Sequence, residues 1–115
     1  MAKSPWTLKI SAKAEHDLNA TLRWTAKNFG SAQARVYYET LRSAIISLAD
    51  DPEPIDSKLR DDLSPGVRIL HVGRKGRRGS HVLIYRVLNT RKIVELSRIL
   101  HDDMDLARHI PPTKP

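Results

Sequence analysis

The residues with the most obvious chemistry lie in one short stretch. Arg74, Lys75, Arg77 and Arg78 fall between Gly73 and Gly79, with Gly76 among them. Four cations so close together repel one another and add little to a core, so the segment is expected to be a mobile basic loop that meets polyanions or acidic proteins. The remaining candidates for chemistry are weaker. His16, His71, His81 and His109 stand at no spacing that suits a metal, and no metal ligand set is expected. With no cysteine, disulfides and thiolate sites are excluded. No nucleotide-binding glycine loop or catalytic triad is present, so no cofactor is expected and any effect should come from binding rather than from an enzyme's own catalysis.

Composition sets the frame for that loop. The chain has 115 residues, 40% of them hydrophobic and 29% charged, enough apolar material for one compact core. A single domain is expected over residues 1–115, with its core at about 6–110 and a short flexible C-terminal tail. Lys and Arg exceed Asp and Glu by 20 to 13, giving +7 at pH 7. The start lacks the apolar stretch of a signal peptide and no run approaches a membrane span, so a cytoplasmic protein with no membrane contact is expected.

The elements that must position the loop follow from periodicity. Trp6, Leu8 and Ile10 alternate with Thr7 and Lys9, as in a short strand with one buried face. Ser11 suits a helix N-cap, and Ala14, Leu18, Leu22 and Phe29 recur at helical intervals to about Asn28. Gly30 ends that helix and Ser31 is placed to cap the next, in which Ala34, Tyr37, Leu41, Ala44 and Leu48 mark the buried stripe. So short a break makes the pair an αα-hairpin. Pro52 and Pro54 stop the second helix.

Beyond them, Ile55 to Gly66 reads as a packed loop. Val67–Val72, His81–Leu88 and Lys92–Leu100 read as strands, the last two joined by a tight turn at Asn89-Thr90. Strand parity gathers Leu70, Val72, Leu83, Tyr85, Val87, Val94, Leu96 and Leu100 on one face, under the helices. Arg68 and Arg98 share that parity near opposite strand ends, where their guanidinium groups can reach the rim or pair with acidic groups of their own chain. The expected fold class is α+β, ordered β-α-α-β-β-β, with an N-terminal strand and an antiparallel helical hairpin packed on a small antiparallel sheet.

Four segments in this order resemble the RelE/ParE toxin superfamily, and within it the ParE branch. They are FGSAQARVYYETLRSAIISLADDP from Phe29 to Pro52, GVRIL from Gly66 to Leu70, HVLIYRV from His81 to Val87 and VELSRILHDDMD from Val94 to Asp105. The resemblance covers roughly Ala14 to Ile110. The loop RKGRRGS from Arg74 to Ser80 departs from it, being longer and more basic than the connection many relatives have there.

The resemblance implies a toxin of a type II toxin-antitoxin system, neutralised by a cognate ParD-like antitoxin that folds on binding and forms a hetero-oligomer with it. ParE-like toxins poison DNA gyrase, whereas RelE-like toxins cleave messenger RNA on the ribosome. RNA cleavage would need a base, an acid and cations around the phosphate, for which Arg68, Arg98 and His101 are the candidates. Asp102, Asp103 and Asp105 beside His101 repel a polyanion and favour the gyrase reading. An inactive relative and a basic nucleic-acid-binding module are the remaining alternatives. Target or antitoxin contact is expected from Arg74, Lys75, Arg77 and Arg78. An antitoxin helix is expected on Trp24, Val36, Tyr38 and Ile45, taken as exposed apolar positions off the buried stripe.

Overall fold

The structure is a computed structural model, described here for residues 6–110; the expected C-terminal tail from residue 111 lies outside the described residues. The elements are β1 (Thr7–Ile10), α1 (Ala12–Phe29), α2 (Ser31–Asp50), β2 (Lys58–Leu59), β3 (Val67–His71), β4 (His81–Leu88) and β5 (Ile93–His101), followed by a 3-10 turn at Leu106–Arg108. Five strands form one sheet in the order β1-β5-β4-β3-β2. The α+β class stands. The sheet, however, is mixed rather than antiparallel, because β1 joins it alongside β5 and runs parallel to it. The chain between those two strands supplies the long crossover that a parallel pair requires.

Ser11 fixes the turn from β1 into α1. Its hydroxyl accepts the Ala14 N–H at 3.0 Å and donates to the Ser97 carbonyl at 2.8 Å, so the helix start is tied to β5. One residue separates the helices: Gly30, at φ 95° and ψ 162°, is the C-cap of α1 and the N-cap of α2. That conformation is open to glycine and costly for a residue with a Cβ. Ser31 is therefore the first helical residue and makes no side-chain cap, contrary to the expected restart.

Leu41, Ala44, Ile45 and Leu48 of α2 bury against Leu70, Val72, Leu83, Tyr85, Val94, Leu96 and Ile99 of the sheet. Ile45, expected to be exposed, is only 6% so, since it follows Leu41 by four residues and shares its face; Ile46 is the exposed isoleucine. Phe29, expected on the buried stripe of α1, is 65% exposed.

The opposite sheet face is also covered. Val67, Val82, Ile84, Leu100 and Ile110 form a second cluster with Leu63, Ile69 and Leu106, drawn from the loop before β3 and the segment after β5. Leu100 was expected under the helices. Its side is reversed by a bulge: Ile84 pairs with Arg98 but Tyr85 pairs with Leu96, so Ser97 is an extra residue and parity flips beyond it. Two further corrections concern connections. Lys58 and Leu59 pair with β3 within the expected loop, and β4 joins β5 through four residues, Asn89 to Lys92, with Leu88 opposite Ile93.

Candidate functional site

The break at Gly30, the start of β4 and the end of β5 come together at one end of the molecule. α1 presents Trp24, Thr25 and Phe29, α2 presents Gln33 and Tyr37, and the loop from β3 adds Arg78, Gly79 and Ser80; with His81 they line an open groove of about 440 Å³. Trp24 is 60% exposed and meets Phe29 edge-on, with centroids 5.7 Å apart. A second hollow on the other side of Trp24 is lined by Ala20, Thr21, His81 and His101. Trp24 is thus an aromatic ridge between two depressions that share His81.

Behind the ridge lies a polar cluster that sequence spacing did not suggest. The Tyr37 hydroxyl accepts the Ser80 N–H at 3.0 Å and shares a hydrogen bond of 2.6 Å with His81 Nδ1. Burial, followed by the neighbouring His101, pushes the His81 pKa down from 6.5 to about 4, so the ring is neutral at pH 7. The His101 ring stands edge-on to it at 5.3 Å. His71 accepts the Gly73 N–H on Nδ1 at 2.9 Å and faces Asp102 through Nε2 at 2.9 Å, which holds the Asp102 carboxyl below its ordinary value. His101 Nδ1 accepts the Asp103 N–H at 3.1 Å.

His71 and His101 each have their acceptor nitrogen occupied by a backbone N–H, and Tyr37 engages Nδ1 of His81. These bonds tie the start of β4 and the loop before it to α2, and the residue after β5 to the end of β3. His101, Asp102 and Asp103 are also the group that could gather around a cation, with ligand atoms within 4.8 Å of one another. An ion there would have to displace the Asp103 N–H from His101.

The half-buried, neutral His81 makes stability depend on pH. Unfolded histidine binds a proton below about 6.5, while folded His81 does so only near 4. The unfolded state thus takes up more protons between those values, and stability falls as pH drops from 6.5 towards 4. Melting temperatures across that range should show this loss, and His81→Gln should flatten the part due to His81. An unchanged pH profile in the variant would contradict the assignment.

The residues singled out in the sequence are dispersed. Arg68 reaches Ser57 and pairs with Glu53 at 3.3 Å, and Arg98 forms a two-pronged pair with Asp17 at 2.8 and 2.9 Å and also donates to the His109 carbonyl. His101 makes its hydrogen bond and ring contact in the polar cluster and bonds to neither arginine, so no hydrogen bond joins the three candidates for RNA cleavage to one another. Arg74 is withdrawn from the basic loop: its guanidinium clasps Asp56 at 2.6 and 2.8 Å and touches Ser47, leaving its side chain 12% exposed. That pair anchors the loop to the α2–β2 connection. Lys75, Arg77 and Arg78 remain exposed at the tip. Trp24, Val36 and Tyr38 are exposed, and Ile45 is not.

A two-helix layer on this mixed sheet, with a basic tip and an aromatic ridge, defines a small protein of the RelE/ParE fold. The family model for the ParE toxin of type II toxin-antitoxin systems matches residues 8–106. Toxin ParE of Escherichia coli is 30% identical over 97 residues, spanning 84% of this chain and 85% of that protein. The chromosomal ParDE system of P. aeruginosa contains a chain of similar fold, with a TM-score of 0.68 and 21% identity over 86% of this chain and 98% of that one. The free E. coli toxin RelE, in mutant form, has a TM-score of 0.59 and 15% identity, with 90% of each chain covered. The chain belongs to the ParE toxin family of type II toxin-antitoxin systems.

Proposed function

We propose that this toxin arrests growth by binding and poisoning DNA gyrase, and that a ParD-like antitoxin holds it in check. The observation that carries the reading is the contrast between spent and unspent groups. A ring nitrogen of each of His71, His81 and His101 is engaged within the chain, whereas Lys75, Arg77 and Arg78 stand exposed on their loop, with Arg78 lining the groove beside Trp24. Such a surface is equipped to bind and poorly equipped to cleave. The likeness to Toxin ParE supports the same target.

For the antitoxin, Trp24, Val36, Tyr38 and Ile46 supply exposed apolar contact on the helices, and β1 and β2 are the sheet edges open to an added strand. The net charge of +7 speeds association with an acidic partner more than it tightens the complex. When expressed in a bacterial host, the toxin should stop growth with DNA breaks accumulating and messenger RNA intact, and a co-expressed ParD-like partner should restore growth. Arrest accompanied by cut mRNA, with DNA intact, would count against the proposal.

Ribosome-dependent RNA cleavage is the second reading, favoured by the pairing of His81 with His101 at 5.3 Å near the groove that Arg78 lines. It requires one of those rings to present a nitrogen to the substrate.

A further inference from the structure

Between α2 and the basic loop lies a smaller hollow, distinct from the aromatic groove. Its volume is about 130 Å³, and it is lined by Thr40, Ser43 and Ser47 of α2, by Arg74, Lys75 and Arg77 of the loop, and by Ala44 and Val72. No carboxylate lines it. Glu39 and Asp50 line the wider hollow that Arg77 also borders, and Asp56 is already clasped by Arg74. Three cations thus face a space with room for about four waters at roughly 30 Å³ each. That suits one tetrahedral oxyanion and is too small for a nucleobase with its sugar.

The loop holds these cations in place at a conformational cost. Arg77 N–H donates to the Arg74 carbonyl at 3.0 Å, closing a turn whose central residues, Lys75 at φ 52° and Gly76 at φ 80°, both have positive φ. Such a turn favours Asn, Asp or Gly at its first central position, and lysine there is strained. Asparagine would relieve the backbone, so the lysine serves something other than the turn. Arg74, pinned by Asp56 and Ser47, gives the hollow a rigid wall, and the Ser43 hydroxyl on the facing helix makes no hydrogen bond within the described residues.

We propose that this hollow is a binding site for a single phosphoryl group, held by Lys75 and Arg77 with donor support from Arg74 and Ser43. Charge-assisted bonds from ammonium and guanidinium groups are the strong way to hold a phosphate, and Lys75 and Arg77, the two lining cations not paired with Asp56, match its charge of about −2. The group is either a free phosphate compound or one phosphate of a nucleic-acid backbone, and the test separates the two.

The test is an amide NMR titration of the full chain with inorganic phosphate, with a short thymidine oligonucleotide, and with acetate as the control anion. Phosphate should move the amides of Ser43, Ser47 and residues 74–77 in a saturable way, and acetate should not. Lys75→Asn should weaken phosphate binding by about tenfold, the effect of one lost charge-assisted contact, while its melting temperature stays level or rises. Saturation by the oligonucleotide at the same amides identifies a backbone phosphate as the ligand; a response to inorganic phosphate alone identifies a free phosphoryl compound. The site is refuted by the absence of a saturable response to either probe, by an equal response to acetate, or by undiminished binding in the Lys75→Asn variant. Neither gyrase nor antitoxin enters the experiment, so its outcome is separable from that of the target assay.

Discussion

Replacing Asp17 by alanine is expected to destabilise the fold by about 3 kcal/mol, the scale for removing one partner of a largely buried ion pair. The Asp17 carboxylate accepts two bonds from Arg98 and a third from the Ile99 N–H at 3.0 Å, and the two side chains are only 11% and 18% exposed. β1 pairs with β5 only as far as Leu96, and Asp17 satisfies the strand's backbone just beyond that point. Its loss leaves both a guanidinium and a backbone donor short of partners. Urea unfolding should show the fall in stability, and Asp17→Ala combined with Arg98→Met should recover part of it, because the stranded charge is gone while the N–H stays unpaired. A single variant as stable as the parent would mean that Arg98 finds another anion.

The second large effect is on activity. Changing Lys75, Arg77 and Arg78 together to alanine should reduce gyrase inhibition by at least about tenfold, on the scale of one or two charge-assisted contacts, with little change in unfolding. Arg74 is kept in that variant because its pair with Asp56 fastens the loop. Arg74→Ala should instead lower stability and disturb the loop as a whole. Undiminished inhibition by the triple variant, with antitoxin affinity also unchanged, would remove the basic tip from the account.

What the sequence disclosed was governed by local rules, and what it concealed depended on distant partners. The αα-hairpin was legible because Leu41, Ala44 and Leu48 repeat at helical spacing, and the three long strands because Val, Ile and Leu fill them between turn residues. The Ser97 bulge has no comparable signature, and that single extra residue moved Leu100 to the other face. β2 is two residues long, too short for any alternation to show.

The functional end was less legible for the same reason. Tyr37, His71, His81 and His101 come from α2, β3, β4 and β5, so no spacing rule joins them. Even with the turn length known, counting from Leu88 opposite Ile93 would set His81 against Leu100, and only the Ser97 bulge brings His101 opposite it. Arg74 looked like its neighbours until Asp56, eighteen positions earlier, was found beside it. The acidic residues after His101, read as a deterrent to polyanions, proved also to hold the histidines: Asp102 meets His71, and the Asp103 N–H binds His101.

The most direct test of the proposed target is to assay the purified toxin, freed of antitoxin, on gyrase supercoiling and on ribosome-bound mRNA in parallel, scoring DNA cleavage complexes. The account predicts loss of supercoiling with cleavage complexes accumulating and mRNA intact. Ribosome-dependent cuts in mRNA with gyrase unaffected would contradict it, and would make the His81–His101 pair a site of proton transfer.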